Sequence, residues 1–149
     1  MDEAIGLRLL ERTKRLIQRV QIACARYSLS IPRRDHVTPY LNRESLLKIG
    51  NRMKLHFATL LIGVIKNEIP IYLFKKLKWR SDANIPHKTR ASHDSLNMPI
   101  FHISAFRGSF RYAATKCWNN LPPPLRYLHS RESFKNNYKK LLLHEQKLN

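Results

Sequence analysis

The sequence predicts a mainly α-helical protein, with five to six helices in a small irregular bundle, one long basic loop and little or no sheet. Three observations support this fold class. Apolar residues recur at steps of three and four in several segments, which is the period of an amphipathic helix. Prolines separate these segments, and no part of the chain offers a good place for a sheet. Because 149 residues fit one domain of ordinary size, we expect a single helical domain over residues 1–149.

The first predicted helix covers residues 4–29, within a helical N-terminal part that extends over residues 4–77. Pro32 lacks an N–H and restricts the residue before it, so we expect the segment from Ser28 to Pro32 to end the helix. Arginines share the other faces of this segment. The apolar residues with helical spacing are Ile5, Leu9, Leu16, Val20, Ala23, Cys24 and Tyr27.

Two more helices are predicted in the middle of the N-terminal part. A short helix over residues 43–49 has Asn42 as a plausible N-cap. Gly50 offers a C-cap or turn after it, because glycine adopts a left-handed conformation without strain. The clearest apolar face of the chain then belongs to a helix over residues 52–67.

A short helix over residues 71–77 is predicted to carry Pro70 near its first turn. Residues 78–99 are polar and basic with almost no apolar period, which predicts a long loop. A connection of that length is usually functional or disordered. Residues 100–106 are expected to form a short strand or an extended segment.

Residues 107–146 are predicted to form a C-terminal helical hairpin. Ser109 is expected to cap its first helix, and Pro122–Pro124 to end that helix as a stiff polyproline spacer. Ser130 is expected to cap a final helix that ends near Gln146. Helical spacing favours packing over ligand contact for the large apolar side chains. The predicted structural core consists of Phe57, Leu61, Phe110, Trp118, Leu121 and Phe134.

The formal charge of +18, from 28 Lys and Arg against 10 Asp and Glu, is the outlying property of the chain. Such an excess destabilises a compact state by self-repulsion unless a polyanion neutralises it. Nucleic acid is the first expectation for that polyanion, and an anionic membrane surface is the second. An ordinary basic helical protein, such as a ribosomal or mitochondrial component, is an alternative, although the acidic start Met1–Glu3 disfavours import.

Basic residues interleaved with aromatic ones indicate where a nucleic acid would bind. Lys and Arg pair with phosphates, and an exposed Trp79 would stack on bases. The alternative for Trp79 is a half-buried ring at a helix end, with the neighbouring charges only solvated. The candidate nucleic-acid-binding residues are Arg33, Arg34, Lys75, Lys76, Lys78, Trp79, Arg80, Lys88 and Arg90.

The sequence lacks the residue patterns that carry catalysis or bind metals. Carboxylates are not clustered as a two-metal site requires, and the triad residue types in Ser92–Ser95 are adjacent, whereas triads assemble from distant parts of a fold. We therefore expect a non-catalytic chain with no metal and no cofactor. Cys24 and Cys117 are expected to be small buried core residues.

The sequence also bears on where the protein is expected to work. No stretch is apolar for long enough to span a bilayer, and the start lacks the features of a signal peptide. We expect an intracellular protein, nuclear or cytoplasmic, that is not secreted and has no membrane partner.

Several segments, in their order and spacing, resemble the region after the polymerase core of jockey-like non-LTR (LINE-type) retrotransposons of insects and other animals. They are Gln21–Tyr27, Asp35–Tyr40, Pro70–Leu73, and Ser109–Ala113 through Trp118–Pro122 followed by Ser133–Lys135. In that family a small apolar block, a Trp-Asn-x-Leu-Pro motif and a later Phe-Lys helix recur in this order. The resemblance covers roughly residues 10–143.

The resemblance implies a parent reverse transcriptase, an RNA-directed DNA polymerase encoded by a transposable element together with an endonuclease. No x-Asp-Asp polymerase motif and no endonuclease motif is present, so no catalytic residue is carried over. The resemblance implies a helical tail that holds template or primer beside the upstream polymerase domain, and a truncated copy of such an element is expected. The alternatives are a structural module that packs against the polymerase thumb and a decayed fragment without a function of its own.

Overall fold

A computed structural model describes residues 11–81, 94–100 and 104–148. The mainly helical prediction is confirmed: these ranges contain seven α-helices and a 3-10 helix, and their only β-type pairing is an isolated bridge. The α-helices are α1 (Glu11–Ser28), α2 (Thr38–Arg43), α3 (Ile49–Asn67), α4 (Ile71–Phe74), α5 (Phe110–Asn120), α6 (Pro123–Arg126) and α7 (Arg131–Leu148), and the 3-10 helix is Ser104–Gly108.

The chain forms two compact units. Among the described residues, the first unit takes residues 57–134 and the second takes residues 11–56 together with 135–148. Helices α3 and α7 each contribute residues to both units. A single domain over residues 1–149 remains a prediction.

Helix α1, in the second unit, ends at Ser28, within the predicted segment Ser28–Pro32, but a left-handed serine ends it before the proline is reached. Ser30 has φ of 50°, and Ile31 N–H donates to the Arg26 carbonyl at 3.0 Å while Ser30 N–H donates to the Tyr27 carbonyl at 3.4 Å. This pattern is a Schellman motif, which satisfies carbonyls that the last helical turn leaves without partners. The chain has therefore already left the helix when it reaches Pro32.

The predicted helix over residues 43–49 is wrong. Helix α2 (Thr38–Arg43) precedes that segment, and a proline lies in its first turn, where a missing N–H costs nothing. A second left-handed serine, Ser45 with φ of 52°, ends it, and Leu46 N–H donates to the Leu41 carbonyl at 2.8 Å. Gly50, predicted as the C-cap, lies inside α3, where no atom would crowd a side chain.

Two small apolar clusters and one buried amide hold the second unit together. The buried members of the clusters are Ala25, Ile31, Val37 and Leu41 in one, and Leu47, Leu55 and Leu142 in the other. Gln146 is only 3% exposed. Its Oε1 accepts from Lys48 N–H at 2.8 Å, and its Nε2 donates to Asn42 Oδ1 at 2.8 Å and to the Leu46 carbonyl at 3.2 Å.

Helix α1 turns the face opposite to the expected one toward the interior. Ala25 is buried and Ile22 packs beside it, while Gln21 Nε2 donates to the Leu47 carbonyl at 2.8 Å. Cys24 is exposed, so its prediction as a buried core residue is wrong. The other described apolar residues of the predicted stripe are exposed as well, and they are Leu16, Val20, Ala23 and Tyr27.

The first unit contains the deepest burial in the described chain. Leu61 and Phe134 are 0% exposed, and Trp118 and Leu121 are buried with them. The other two residues of the predicted core, Phe57 and Phe110, are half-buried. Their rings pack edge-to-face, with centroids 6.2 Å apart and an interplanar angle of 64°.

The helix starts in this region follow local hydrogen-bonding rules. The cap predicted at Ser109 is confirmed, since its Oγ accepts from Tyr112 N–H at 3.3 Å. The Ser130 Oγ accepts from Glu132 N–H at 3.2 Å at the start of α7.

Two expectations about the backbone around α5 are wrong. The Pro122–Pro124 segment is not a spacer, because α6 begins at Pro123 with prolines in its first turn. Residues 104–106 of the segment predicted to be a strand or extended lie in the 3-10 helix, and residues 101–103 lie outside the described residues. Much of the predicted basic loop, residues 82–93, lies outside the described residues. No described helix combines the length and the apolar character needed to cross a bilayer.

Replacing Gln146 with Leu is expected to lower the free energy of unfolding by about 1–3 kcal/mol, because the half-buried Lys48 N–H and Leu46 carbonyl lose partners. Urea denaturation followed by circular dichroism measures the loss, and amide exchange at Lys48 should become faster. The matched control is Lys147→Leu at the exposed neighbouring position, which should change stability by less than about 0.5 kcal/mol. Equal effects of both substitutions would contradict the assigned role of Gln146.

Candidate nucleic-acid interface

The candidate interface in the first unit is the basic segment Lys75–Arg80, which follows helix α4. Its first part continues as helical turns, since Lys76 N–H donates to the Leu73 carbonyl at 3.1 Å and Leu77 N–H to the Phe74 carbonyl at 2.9 Å. Leu77 is buried, whereas Lys75 and Lys76 are exposed. The apolar side of the turn therefore anchors it and leaves both ammonium groups in solvent.

The second part of the basic segment is extended and pairs with the segment Asp94–Asn97. Asn97 N–H donates to the Lys78 carbonyl at 2.7 Å, and Arg80 N–H donates to the Ser95 carbonyl at 2.9 Å. These two bonds form an isolated antiparallel bridge. Successive side chains of an extended segment point to opposite faces, and accordingly Lys78 and Arg80 are exposed.

Trp79, predicted as a possible base-stacking residue, lies on the inner face of this extended part. It is half-buried, and its ring packs edge-to-face against Trp118, with centroids 5.8 Å apart and an interplanar angle of 84°. The half-buried ring agrees with the alternative interpretation of Trp79, in which the side chain packs against the protein and does not stack on bases.

The Trp-Asn-Asn-Leu-Pro motif holds the segment that pairs with the basic residues. Trp118 Nε1 donates to the Asp94 carbonyl at 2.8 Å. The side-chain amide of Asn119 pairs with both backbone groups of Leu96, accepting from its N–H at 3.0 Å and donating to its carbonyl at 3.0 Å. The side chain of Asn119 therefore provides Leu96 with the two backbone hydrogen bonds that a neighbouring strand would provide in a sheet. Leu96 is only 1% exposed.

Arg126 completes this arrangement from helix α6. Its guanidinium donates to three carbonyls, those of Leu121 (3.0 Å), Asn119 (2.9 Å) and Asp94 (3.2 Å). It also lies over the Trp118 ring at 5.7 Å from the centroid, within range of a cation–π attraction. We call Trp118, Asn119 and Arg126 the clamp.

A further side chain ties Asp94 to helix α6. The hydroxyl of Tyr127 donates to the Asp94 carboxylate, and this hydrogen bond, followed by desolvation and by repulsion from the carboxylate, raises the pKa of Tyr127. Asp94, one of the triad residue types of Ser92–Ser95, therefore works as a hydrogen-bond acceptor within the clamp region.

The candidate pair Arg33–Arg34 belongs to the second unit. Both side chains are exposed on the turn between α1 and α2. Arg26 fixes this turn from beneath, because its Nη1 donates to the Pro32 carbonyl at 2.6 Å and its Nη2 to the Asp35 carbonyl at 2.7 Å. The remaining two candidates, Lys88 and Arg90, lie outside the described residues.

The sequence marks Asn119 only as the Asn of the Trp-Asn-x-Leu-Pro motif, without a structural role, and it does not mark Arg126. One signal was available for the asparagine, since Asn competes with helix hydrogen bonding and favours helix ends and turns. No comparable signal marks Arg126, because one arginine among many basic residues gives no indication that it faces carbonyl oxygens.

Two observations bear on other chemistry in the described ranges. Burial raises the pKa of the Cys117 thiol to about 12, so this side chain stays protonated and is a poor nucleophile at neutral pH. Within the described residues, no three or more His, Cys, Asp and Glu side chains come together as metal ligands.

Comparison with known proteins gives no match, neither to a protein-family model nor to a curated protein or a solved structure.

Replacing Asn119 with Ala is expected to lower the free energy of unfolding by about 2–3 kcal/mol, because a buried N–H and a buried carbonyl of Leu96 both lose their partner. Arg126→Lys is expected to destabilise as well, since one ammonium cannot reproduce the planar fork that reaches three carbonyls. Urea unfolding measures both effects. The matched control is Asn120→Ala, an exposed neighbour. An Asn119→Ala protein as stable as this control would refute the clamp.

Proposed function

We propose that this chain is a non-catalytic, basic helical module that binds the backbone of RNA or DNA without sequence preference. The observation that carries the proposal is the basic segment Lys75–Arg80. Its four cationic side chains are exposed, and none of them makes a hydrogen bond or ion pair with the described residues. Charges held in this way are available to phosphates, and releasing the counterions of the nucleic acid favours binding.

Two features of the segment make it suited to phosphate binding. Its cations lie within six consecutive residues, so several can act on one stretch of backbone. The extended part is fixed by main-chain hydrogen bonds to Ser95 and Asn97, which lowers the entropy cost of ordering the segment on binding. Arg33 and Arg34, which are also exposed, provide a second candidate contact in the other unit.

We further propose that the parent of this module is a retrotransposon-encoded reverse transcriptase, and that the module holds template or primer beside the polymerase domain. The support is the order of the sequence motifs, in particular Ser109–Ala113, Trp118–Pro122 and Ser133–Lys135. The Trp-Asn-Asn-Leu-Pro motif also has a structural role in the clamp. Its residues Trp118 and Asn119 hydrogen-bond to the segment Asp94–Asn97, which pairs with the basic segment.

Binding to RNA or DNA is expected to have a dissociation constant on the order of 10⁻⁴ to 10⁻⁶ M at physiological salt and to weaken steeply as salt rises. Replacing Lys75, Lys76, Lys78 and Arg80 with Ala should reduce the slope of log K against log salt by about 3, because each lost phosphate contact removes roughly 0.7–0.9. Fluorescence anisotropy at several NaCl concentrations measures the slope.

The matched control removes four exposed cations from α7, which are Arg131, Lys135, Lys140 and Lys147. It lowers the net charge by the same amount, so a general charge effect would change both slopes equally. The proposal predicts a clearly smaller change for the α7 variant. Absence of salt-sensitive binding by the unmodified protein would refute the proposal outright.

A second candidate function, a structural packing module of a larger protein, is favoured by the surface of α1. Leu16 is 50%, Val20 62% and Tyr27 91% exposed, and their spacing places them on one side of the helix. We call these three residues the α1 stripe. Exposed contiguous apolar surface marks interaction sites, and packing against a thumb-like domain would cover it.

If the α1 stripe is a packing surface, the isolated protein should bind the uncharged dye Nile red and self-associate as its concentration rises. Replacing Leu16, Val20 and Tyr27 with Gln should reduce both effects without lowering the thermal midpoint, because the side chains are already exposed. Ile100→Gln, at an exposed apolar residue outside the stripe, is the control. A monomer without dye binding across the accessible concentrations would count against this second function.

A further inference from the structure

Tyr72 is an exposed aromatic residue next to the lysines of the candidate interface. It lies in helix α4 (Ile71–Phe74) and is 64% exposed. Neither its ring nor its hydroxyl has an aromatic or hydrogen-bond partner among the described residues. Its packing therefore gives no structural reason for a large aromatic side chain at this position.

The local backbone places Tyr72 on the same side as two cations. Helical turns continue beyond α4, since Lys75 N–H donates to the Ile71 carbonyl at 2.9 Å and Lys76 N–H to the Leu73 carbonyl at 3.1 Å. Residues three and four positions apart are neighbours on a helix surface. Lys75 and Lys76 therefore flank the Tyr72 ring on its side of the turn.

The opposite side of this turn is the anchored one. Leu77 is buried, and Leu73 and Phe74 are half-buried. The turn is amphipathic, with three apolar side chains packed inward and Tyr72 beside two lysines outward. An aromatic ring held on an anchored turn loses little conformational entropy when a ligand covers it.

We propose that Tyr72 is a base-stacking residue and that the interface takes single-stranded RNA or DNA with unpaired bases, an inference that rests on the nucleic-acid-binding function proposed above. The aromatic face stacks on a base while Lys75 and Lys76 pair with the adjoining phosphates, a combination typical of sequence-tolerant single-strand binding. A duplex keeps its bases stacked internally, so it offers the cations its phosphates but offers Tyr72 no free base.

We thus assign to Tyr72 the base-stacking role that the sequence predicts for Trp79. The Trp79 ring already packs against Trp118 at 5.8 Å, and using it for a base would break that contact. Tyr27 is more exposed than Tyr72, at 91% against 64%. Its neighbour Arg26, however, directs its guanidinium at two backbone carbonyls, and Tyr27 belongs to the other unit. Tyr27 therefore serves as the matched control.

The test compares binding by the full chain and by its variants Tyr72→Ala, Tyr72→Phe and Tyr27→Ala. Three fluorescent probes of about 16 nucleotides are used: a single strand of mixed sequence, the same strand with abasic sites in place of its bases, and the paired duplex. Tyr72→Ala is expected to weaken binding to the single strand about five-fold or more. Its affinity for the abasic strand and for the duplex should stay unchanged.

The other two variants test whether the aromatic ring at position 72 carries the effect. Tyr72→Phe should retain single-strand affinity, because the ring provides the stacking surface, and Tyr27→Ala should retain it as well. Equal affinity of the unmodified protein and Tyr72→Ala for the single strand would overturn the role of Tyr72 while leaving phosphate binding intact. A failure of the unmodified protein to bind any of the three probes would instead overturn the proposed function itself.

Discussion

The hydrogen bonding of one extended segment, Asp94–Asn97, governs the arrangement of the first unit. Buried backbone groups must find partners, and the described chain forms no sheet that would supply them around Leu96. Trp118, Asn119 and Arg126 supply them with side chains. The bridge between Asp94–Asn97 and the basic segment depends on these side chains. Without them, the segment Asp94–Asn97 would not be held where its backbone can hydrogen-bond to Lys78 and Arg80.

The clamp also shows that the cations of this protein serve two physical purposes. Arg126 directs a planar fork at three carbonyls, and Arg26 directs two nitrogens at a turn. Lys66 donates to the Leu128 carbonyl. Lysines such as Lys75 keep a hydrated ammonium in solvent, where it acts as a point charge. The count of 28 Lys and Arg therefore overstates the number of cationic side chains that are free to rearrange around a phosphate, although those that donate to carbonyls keep their charge.

The sequence predicted the helical class and the Ser109 cap, because apolar period and capping are local properties of a chain. It failed where a position takes a role usually held by another residue type. Ser30 and Ser45 end helices in a left-handed conformation that favours glycine, so the glycine at position 50 does not mark a helix end as the sequence predicts. For α1 the apolar stripe predicts the wrong face, because two glutamines of the helix take part in the packing: Gln18 Oε1 accepts from Ile49 N–H at 2.8 Å, and Gln21 Nε2 donates to the Leu47 carbonyl at 2.8 Å. In the candidate interface, the exposure of each aromatic side chain depends on contacts with residues distant in sequence. Trp79 packs against Trp118 and is half-buried, whereas Tyr72 has no such contact among the described residues and is exposed.

This separation determines how substitutions in the basic segment are to be interpreted. Trp79 and Tyr72 are both aromatic and both adjoin lysines, but only Trp79 rests on the clamp through Trp118. Replacing Trp79 would disturb the packing that fixes the cations, so weaker binding by that variant would follow even if no base ever touched the ring. Replacing Tyr72 removes an exposed ring and leaves the anchoring side chains of its turn in place. A change in binding that depends on the presence of bases can therefore be assigned to stacking at Tyr72, whereas the same change at Trp79 cannot.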